Sequence, residues 1–552
     1  MKKINIIFAG LCLVTGLQAQ DLDPIVEVSR AYEGKLIEVR KPVMEMAVPD
    51  TLYKFDLGFD YSVFDNPYRG SYEFNPYTMD MRPESNLQKP SQFYMRAGAG
   101  YTLHPVFDLL WSPDFKGGFS MDVYGMHKSY VGAYRPVMGA KGYNGYDLLS
   151  KAGLDMGYDW DRTALDFGAS YYGVAVKDFA RERAYNALDA YCSVGSKKSW
   201  TEGFLYNVGL AYRYSDDTSL LPLKGHEMKL DGSFGPTFGE SNKVFFDLGL
   251  ELDTYSGVWT ESLVDFYLVP HYVYERGVMR LDLGLRLSAA KISADGVKNQ
   301  IVYPAIKMNF AVIPDAMRLY MNIGGGEKLN SYSSLIVGNH HLDLGYLAFS
   351  KQVDDPADGA DVNGIGLMQP SIERVSAELG LEGRISSFFS YNLKGGYTNN
   401  VNALFDGVVA VSEGVYMPRV GYTSYQSAFA ALVWDMNFRR VRFDGVVKYA
   451  HYWGYDSAMF APASLSGDAE VLYNWRRRIY AGVDCVFATS RSNSENLKVP
   501  GYADLGIYGE YAMNNKISFW LRGGNLLNME VQKTFFYAEK GINFTAGICL
   551  NF

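Results

Sequence analysis

The sequence predicts an all-β transmembrane barrel of about 22 antiparallel strands, preceded by a short N-terminal extension. Three observations carry that reading. From about residue 90 onward the chain repeats one pattern, roughly ten residues of period-2 alternation and then a turn. The second face of these segments is charged or glycine, strand after strand. After the first 20 residues no apolar run approaches the roughly 18 residues that a membrane-spanning helix needs. The 552 residues are 48% hydrophobic, 15% aromatic and 20% charged, which is not the aromatic-poor composition of a disordered chain. A formal charge of −9 offers no general basic face for nucleic acid.

The alternation is strict. Met279, Leu281, Leu283, Leu285 and Leu287 alternate with Arg280, Asp282, Gly284, Arg286 and Ser288. Phe246, Leu248, Leu250 and Leu252 alternate with Asp247, Gly249, Glu251 and Asp253, and Val375–Glu382 repeats the pattern. Each is a strand with one apolar face. A soluble sandwich of this length would split into modules of about 100 residues, and no such repeat is present. A closed barrel with lipid outside and water inside accounts for both faces at once. A charge on the lipid side would cost ~2–4 kcal/mol near the midplane, so the charged row belongs inside. Alternation thus assigns Glu251, Arg280, Asp282, Arg286, Asp504, Glu510 and Arg522 to the lumen. Trp160, Trp200, Phe238, Trp475 and Tyr511 fall where strands end, at the level of an aromatic girdle.

Turns set the strand count. Short ones are expected at Asp114–Gly118, Asp159–Arg162, Lys197–Gly203, Gly239–Asn242, Glu275–Gly277, Pro314–Ala316, Arg384–Ser387, Phe438–Arg440, Trp475–Arg478 and Asn514–Lys516. Bacterial barrels keep short turns on the periplasmic side, so ten of them with both chain ends periplasmic imply about 22 strands. Longer outer loops are expected at Val131–Asp147, Lys177–Tyr185, Asn399–Tyr422 and Leu526–Gly541. The largest, about Asn330 to Ser371, carries Asp354, Asp355, Asp358 and Asp361. That acidic spacing matches no calcium motif well.

Residues 1–19 have the form of a secretory signal: Lys2 and Lys3, an apolar stretch from Ile4 to Leu17, and small Ala19 before Gln20. Three cysteines follow, Cys192, Cys485 and Cys549, far apart and without metal or redox spacing; they read as strand residues. Residues 20–90 form the extension and 91–552 the barrel. The extension holds Phe55, Phe59, Tyr61, Phe64, Tyr68, Tyr72, Phe74 and Tyr77, too apolar for a free tail. It reads as a reduced plug or a periplasmic cover, or as two further strands.

The C-terminal hairpin carries a family resemblance. Asn525-Leu526-Leu527-Asn528, Tyr537, Gly541-Ile542-Asn543-Phe544 and terminal Phe552 resemble the last two strands of TonB-dependent receptors. Ile542, Phe544, Ala546, Ile548, Leu550 and Phe552 make one apolar row there, and a terminal aromatic strand is the outer-membrane insertion signal in that family. The resemblance implies a 22-stranded barrel in the outer membrane of a Gram-negative cell. The family's plug of roughly 150 residues has no room before Gln92. Ile25, Val26, Glu27 and Val28 resemble the segment that recruits TonB, an extended strip suited to edge-on pairing; a plain tail is the competing reading.

No catalytic arrangement stands out: HExxH, GxSxG and phosphate-loop patterns are absent from the sequence, and His340-His341 are poorly spaced to chelate. The chain is expected to be no enzyme, to bind no cofactor or metal, and to touch outer-membrane lipid. Two function classes lead. One is uptake or passage of a solute across the outer membrane in the manner of a TonB-dependent receptor, with TonB as partner. The other is a non-enzymatic structural or assembly subunit held among other outer-membrane or periplasmic proteins. A passive porin is the third.

Overall fold

The computed structural model describes residues 92–552 except 102–103, 135–141, 179–181, 198–202, 220, 240, 258–259, 291–300, 315, 343–367, 387 and 413. The signal segment, the extension with Ile25, Val26, Glu27 and Val28, Trp200 and the Asp354–Asp361 run lie outside the described residues.

The first two strands, β1 (Phe93–Gly100) and β2 (Val106–Trp111), are short. Long strands follow: β3 (Phe119–Tyr134), β4 (Tyr143–Asp159), β5 (Thr163–Lys177), β6 (Glu182–Ser196), β7 (Phe204–Asp217) and β8 (Leu223–Phe238). β9 (Asn242–Gly257), β10 (Glu261–Arg276), β11 (Met279–Ala290), β12 (Val302–Ile313) and β13 (Met317–Lys328) lead to helix α1 (Tyr332–Gly338) and then β14 (Ser371–Ile385). β15 (Phe389–Ser412) and β16 (Val415–Phe438) form the longest hairpin, followed by β17 (Val441–Trp453), β18 (Leu465–Trp475) and β19 (Ile479–Ala488). A small ladder of β20 (Arg491–Ser492) and β21 (Lys498–Val499) occupies the next connection. β22 (Tyr502–Ala512), β23 (Ile517–Gly524) and β24 (Asn543–Asn551) complete the wall.

Twenty-two of these strands make one antiparallel sheet, closed where β24 pairs with β1 from Tyr94↔Asn551 to Gly100↔Thr545. Closure leaves no sheet edge with unpaired backbone groups, the condition for a strand to cross a lipid core. All ten short turns fall where alternation stops, so the expected count of 22 is met.

The register carries one apolar row around the ring. Leu283 stands opposite Tyr272, which stands opposite Val244. Across the seam, Phe107 pairs with Ala97, Ala97 with Ile548, Ile548 with Phe519, and Phe519 with Tyr511. Leu283 and Leu285 are 43% and 54% exposed on that face, and the terminal row through Phe544 and Phe552 shares it. Trp160, Phe238, Trp475 and Tyr511 are exposed at the short-turn rim. Cys192, Cys485 and Cys549 are free and lie in strands.

The seam is packed as well as paired. Trp520 is buried across it, and a Cβ at Gly98 would come within 2.4 Å of its ring. A Cβ at Gly547 would meet the Ala97 carbonyl oxygen at 2.0 Å, so only glycine lets the strands approach here. The Arg96 guanidinium lies 4.0 Å from the Trp520 ring, a cation–π contact that ties β1 to β23 over β24.

Three expectations need correction. Asn399–Tyr422 is no loop: Ala403–Ala410 of β15 pair with Tyr416–Thr423 of β16, and only a bulge with Asn402 at φ 57° marks the polar run. The asparagines look like loop signals, yet the chain absorbs them in one irregular step. The loops near Val131–Asp147 and Lys177–Tyr185 are shorter than expected, because β3 runs to Tyr134, β4 starts at Tyr143 and β6 starts at Glu182. Alternation predicts no helix between the strands, and α1 breaks that rule inside the largest outer connection.

Candidate functional site: the capped mouth and the polar face

At the long-loop rim the connections fold together instead of standing free. Ser331 caps α1 by accepting from Ser334 N, the arrangement that serine favours at a helix start. The helix is pinned to strands well away from its own. Tyr332 N donates to Tyr255 Oη at 3.0 Å, Tyr332 O–H donates to Asp217, and Ser333 N and O–H both donate to Glu227. Tyr255 also donates to Glu227, at 2.8 Å.

The two histidines after α1 extend the anchoring. His340 Nδ1 lies 3.3 Å from Asp147 on β4, and its Nε2 lies 3.4 Å from Tyr172 Oη on β5. The His341 ring stacks on Tyr537 of the β23–β24 connection at 3.7 Å, and Tyr537 donates to Asp178 just beyond β5. From the other side, Arg491 in β20 reaches Asp406 of β15 at 3.1 Å, while Phe460 N donates to the Asp406 carbonyl.

These segments enclose one apolar core. It holds Tyr185, Leu223, Tyr255, Tyr332, Ile336, Met368, Phe460 and Phe536, all at most 1% exposed, with Val408 and Val420 from the β15–β16 hairpin. Each fully buried side chain of this size contributes roughly 1.5–3 kcal/mol. β5 and β16 are eleven strands apart in the 22-strand ring, so the core reaches between opposite walls. The loop groups feel the burial. It works against the Lys533 charge, but Glu539 and Asp504 more than offset it and hold that ammonium above its ordinary pKa. Burial pushes the Lys540 ammonium down.

Below the cap, the face opposite the apolar rows carries cross-strand ion pairs. Arg213 bridges Asp189 and Glu227; Lys229 meets Glu251 at 2.6 Å; Arg286 meets Asp265 at 3.6 Å. His271 stands between Asp247 at 3.2 Å and Asp282 at 2.8 Å. Arg280 approaches Glu275 at 3.9 Å and Arg522 approaches Asp484 at 3.3 Å. Asp504 accepts from Lys533 at 2.8 Å, and Glu510 accepts from Tyr508 and Ser518. All seven residues singled out by alternation thus share this polar face, distributed around the ring and not gathered at one point. Alternation could not identify their partners, nor the role of His340 and His341, whose contacts join segments far apart in the chain.

The sequence matches no protein-family model and no curated protein. Solved structures do match. The copper transporter OprC is 12% identical with a TM-score of 0.59, over 84% of this chain and 80% of that one. The ferric enterobactin receptor PfeA of Pseudomonas aeruginosa is 11% identical with a TM-score of 0.58, over 83% and 80%. The siderophore receptor PirA of Acinetobacter baumannii is 11% identical with a TM-score of 0.59, over 83% and 80%. All three are TonB-dependent receptors, and this chain has their barrel fold.

Proposed function

We propose that this chain is an outer-membrane barrel of the TonB-dependent-receptor kind, serving uptake or passage of a solute across the outer membrane of a Gram-negative cell. The observation that carries the reading is the closed 22-strand sheet with an apolar row on one face and ion pairs on the other. On this reading the ion-paired face, with Glu251, Arg280, Asp282, Arg286, Asp504, Glu510 and Arg522, lines the lumen. A barrel of this size without an obstruction would pass large solutes, so it needs a closure. The cap built on α1 supplies an outer one, and residues 20–90 supply an inner one as a reduced plug or periplasmic cover. Ile25, Val26, Glu27 and Val28 are the strip through which TonB would pull.

A second reading is favoured by the cap itself. Its core is large and fully buried, and opening it exposes several aromatic side chains at once. Such a mouth suits a barrel that works as a structural or assembly subunit among other outer-membrane proteins. Pull-down in mild detergent with mass spectrometry separates the two. The transport reading expects an isolated barrel whose expression follows a growth substrate, with TonB as its transient partner. A stoichiometric set of outer-membrane partners would replace it with the assembly reading.

A further inference from the structure

The short-turn rim is not uniform in charge. Its first seven turns hold acids and bases in near balance, whereas the last three carry Arg439, Arg440, Arg476, Arg477, Arg478 and Lys516 and no acid. These three turns are neighbours in the ring, because β16, β17, β18, β19, β22 and β23 follow one another in the sheet. All six side chains are exposed. Among the described residues Arg439, Arg440, Arg476, Arg478 and Lys516 form no ion pair with a carboxylate, although the chain as a whole carries −9.

Two further features set this sector apart. The β18–β19 turn closes with Arg478 N donating to the Trp475 carbonyl, and both central residues are left-handed, Arg476 at φ 54° and Arg477 at φ 57°. A two-residue hairpin turn of this shape suits Asn-Gly, and paired arginines there give up backbone comfort for charge. Second, the cations lean on rings of the apolar outward row. Arg476 lies over Trp475 at 5.7 Å and Lys516 over Phe552 at 5.4 Å, and both rings are about half exposed. Arg476 and Lys516 therefore stand where the apolar band ends, at headgroup level, and lean to the outward face.

We propose that this arc of the inner rim binds the phosphate of an anionic phospholipid headgroup, with Arg439, Arg440, Arg476, Arg477, Arg478 and Lys516 as the cationic clamp. Guanidinium fits such a site, because its planar fork meets phosphate oxygens in pairs and it keeps its charge at an apolar boundary. The outward aromatics beneath supply the acyl contact. An acidic soluble partner would not need the charges held over lipid-facing rings. The inference rests on the membrane-barrel reading above.

The test uses the full chain in nanodiscs of equal phosphatidylcholine and phosphatidylglycerol, with native mass spectrometry counting the lipids retained on release. The wild-type protein should retain phosphatidylglycerol preferentially. The double variant Arg476→Asn/Arg477→Gly keeps the turn and removes two charges, and should lower that retention by roughly fivefold per arginine. Its heat resistance should hold or rise, because the new turn is the better one. Arg439→Gln/Arg440→Gln should act in the same direction. Arg276→Gln, at the β10–β11 turn on a far sector of the same rim, should change nothing. Equal retention by wild type and double variant, no preference in the wild type, or an equal loss in the Arg276 variant would overturn the site. Failure of the protein to enter nanodiscs at all would instead overturn the membrane-barrel reading.

Discussion

The two rims of this barrel are built on different terms. At the short-turn rim the chain reverses within a few residues, as at Gly277-Val278 between β10 and β11, and each turn meets only its own hairpin and the adjoining strand, as where Ala311 N donates to the Val278 carbonyl. At the long-loop rim the connections answer to one another: α1 rests on β7, β8 and β9, and Tyr537 of the β23–β24 connection rests on His341 and Asp178. The first rim is local structure, and the second is a small core of its own set on the barrel. A change at the first should stay where it is made. A change at the second should spread.

The largest effect is expected at Tyr332. Replacing it with alanine removes a fully buried ring and its hydrogen bond to Asp217, and should cost about 3–5 kcal/mol of cap stability. Hydrogen exchange should rise together in α1, in the β23–β24 connection and around Phe460, while β11 to β13 stay protected. If only α1 itself exchanged faster, the cap would not be a single unit.

Gly277 provides the opposite case. Its φ is +59° and nothing lies within 4 Å of where a Cβ would stand, so Gly277→Ala has only the left-handed backbone to contend with, roughly 1–2 kcal/mol. Exchange in the cap should be unchanged, and the double variant with Tyr332→Ala should show additive losses. Clear non-additivity would mean that the rims communicate.

His341→Ala removes a stacked ring from Tyr537 and should loosen the cap by about 0.5–1.5 kcal/mol. Exchange at Phe535 to Ala538 reads this directly; unaltered protection there would remove His341 from the account.

A smaller and pH-dependent effect belongs to His104, in the β1–β2 connection. Burial, with Lys540 second, holds its imidazole below the ordinary value of 6.5. The docked connection therefore favours the neutral ring, and the undocked one takes up the proton more readily. The docking free energy is complete above pH 6.5 and falls as pH drops through the lowered value in the docked state. Protection against exchange at the start of β2 and β24, taken relative to the intrinsic rate at each pH, should fall from about pH 7 to about pH 5, and His104→Gln should flatten that profile. A slope that persists in the variant would point to another group.

The same contrast explains what the sequence could tell. Turns such as Trp475–Arg478 and the apolar row through Leu283 and Leu285 are written in two-residue periodicity, so the wall and its count were legible. The same alternation put the seven charged residues on one shared face. The β15–β16 hairpin did not, because Asn399, Asn400 and Asn402 mimic a loop while Ala403–Ala410 carry on pairing. The cap was illegible for a stronger reason. Tyr172 and His340, or Asp178 and Tyr537, meet across 168 and 359 residues, and no local pattern encodes that meeting. The fully buried Phe460 and Phe536 lie in connections that periodicity marks only as not strand.

The central proposal is that the barrel's own loops close its outer mouth, with residues 20–90 proposed as a second closure in series. Single-channel conductance of four proteins tests it: wild type, a deletion of residues 21–90, Tyr332→Ala/Phe536→Ala, and the deletion combined with both substitutions. Two barriers in series predict low conductance in the first three and a large, steady conductance only in the fourth. A large conductance from the deletion alone would contradict the account, because the loops would then leave the mouth open.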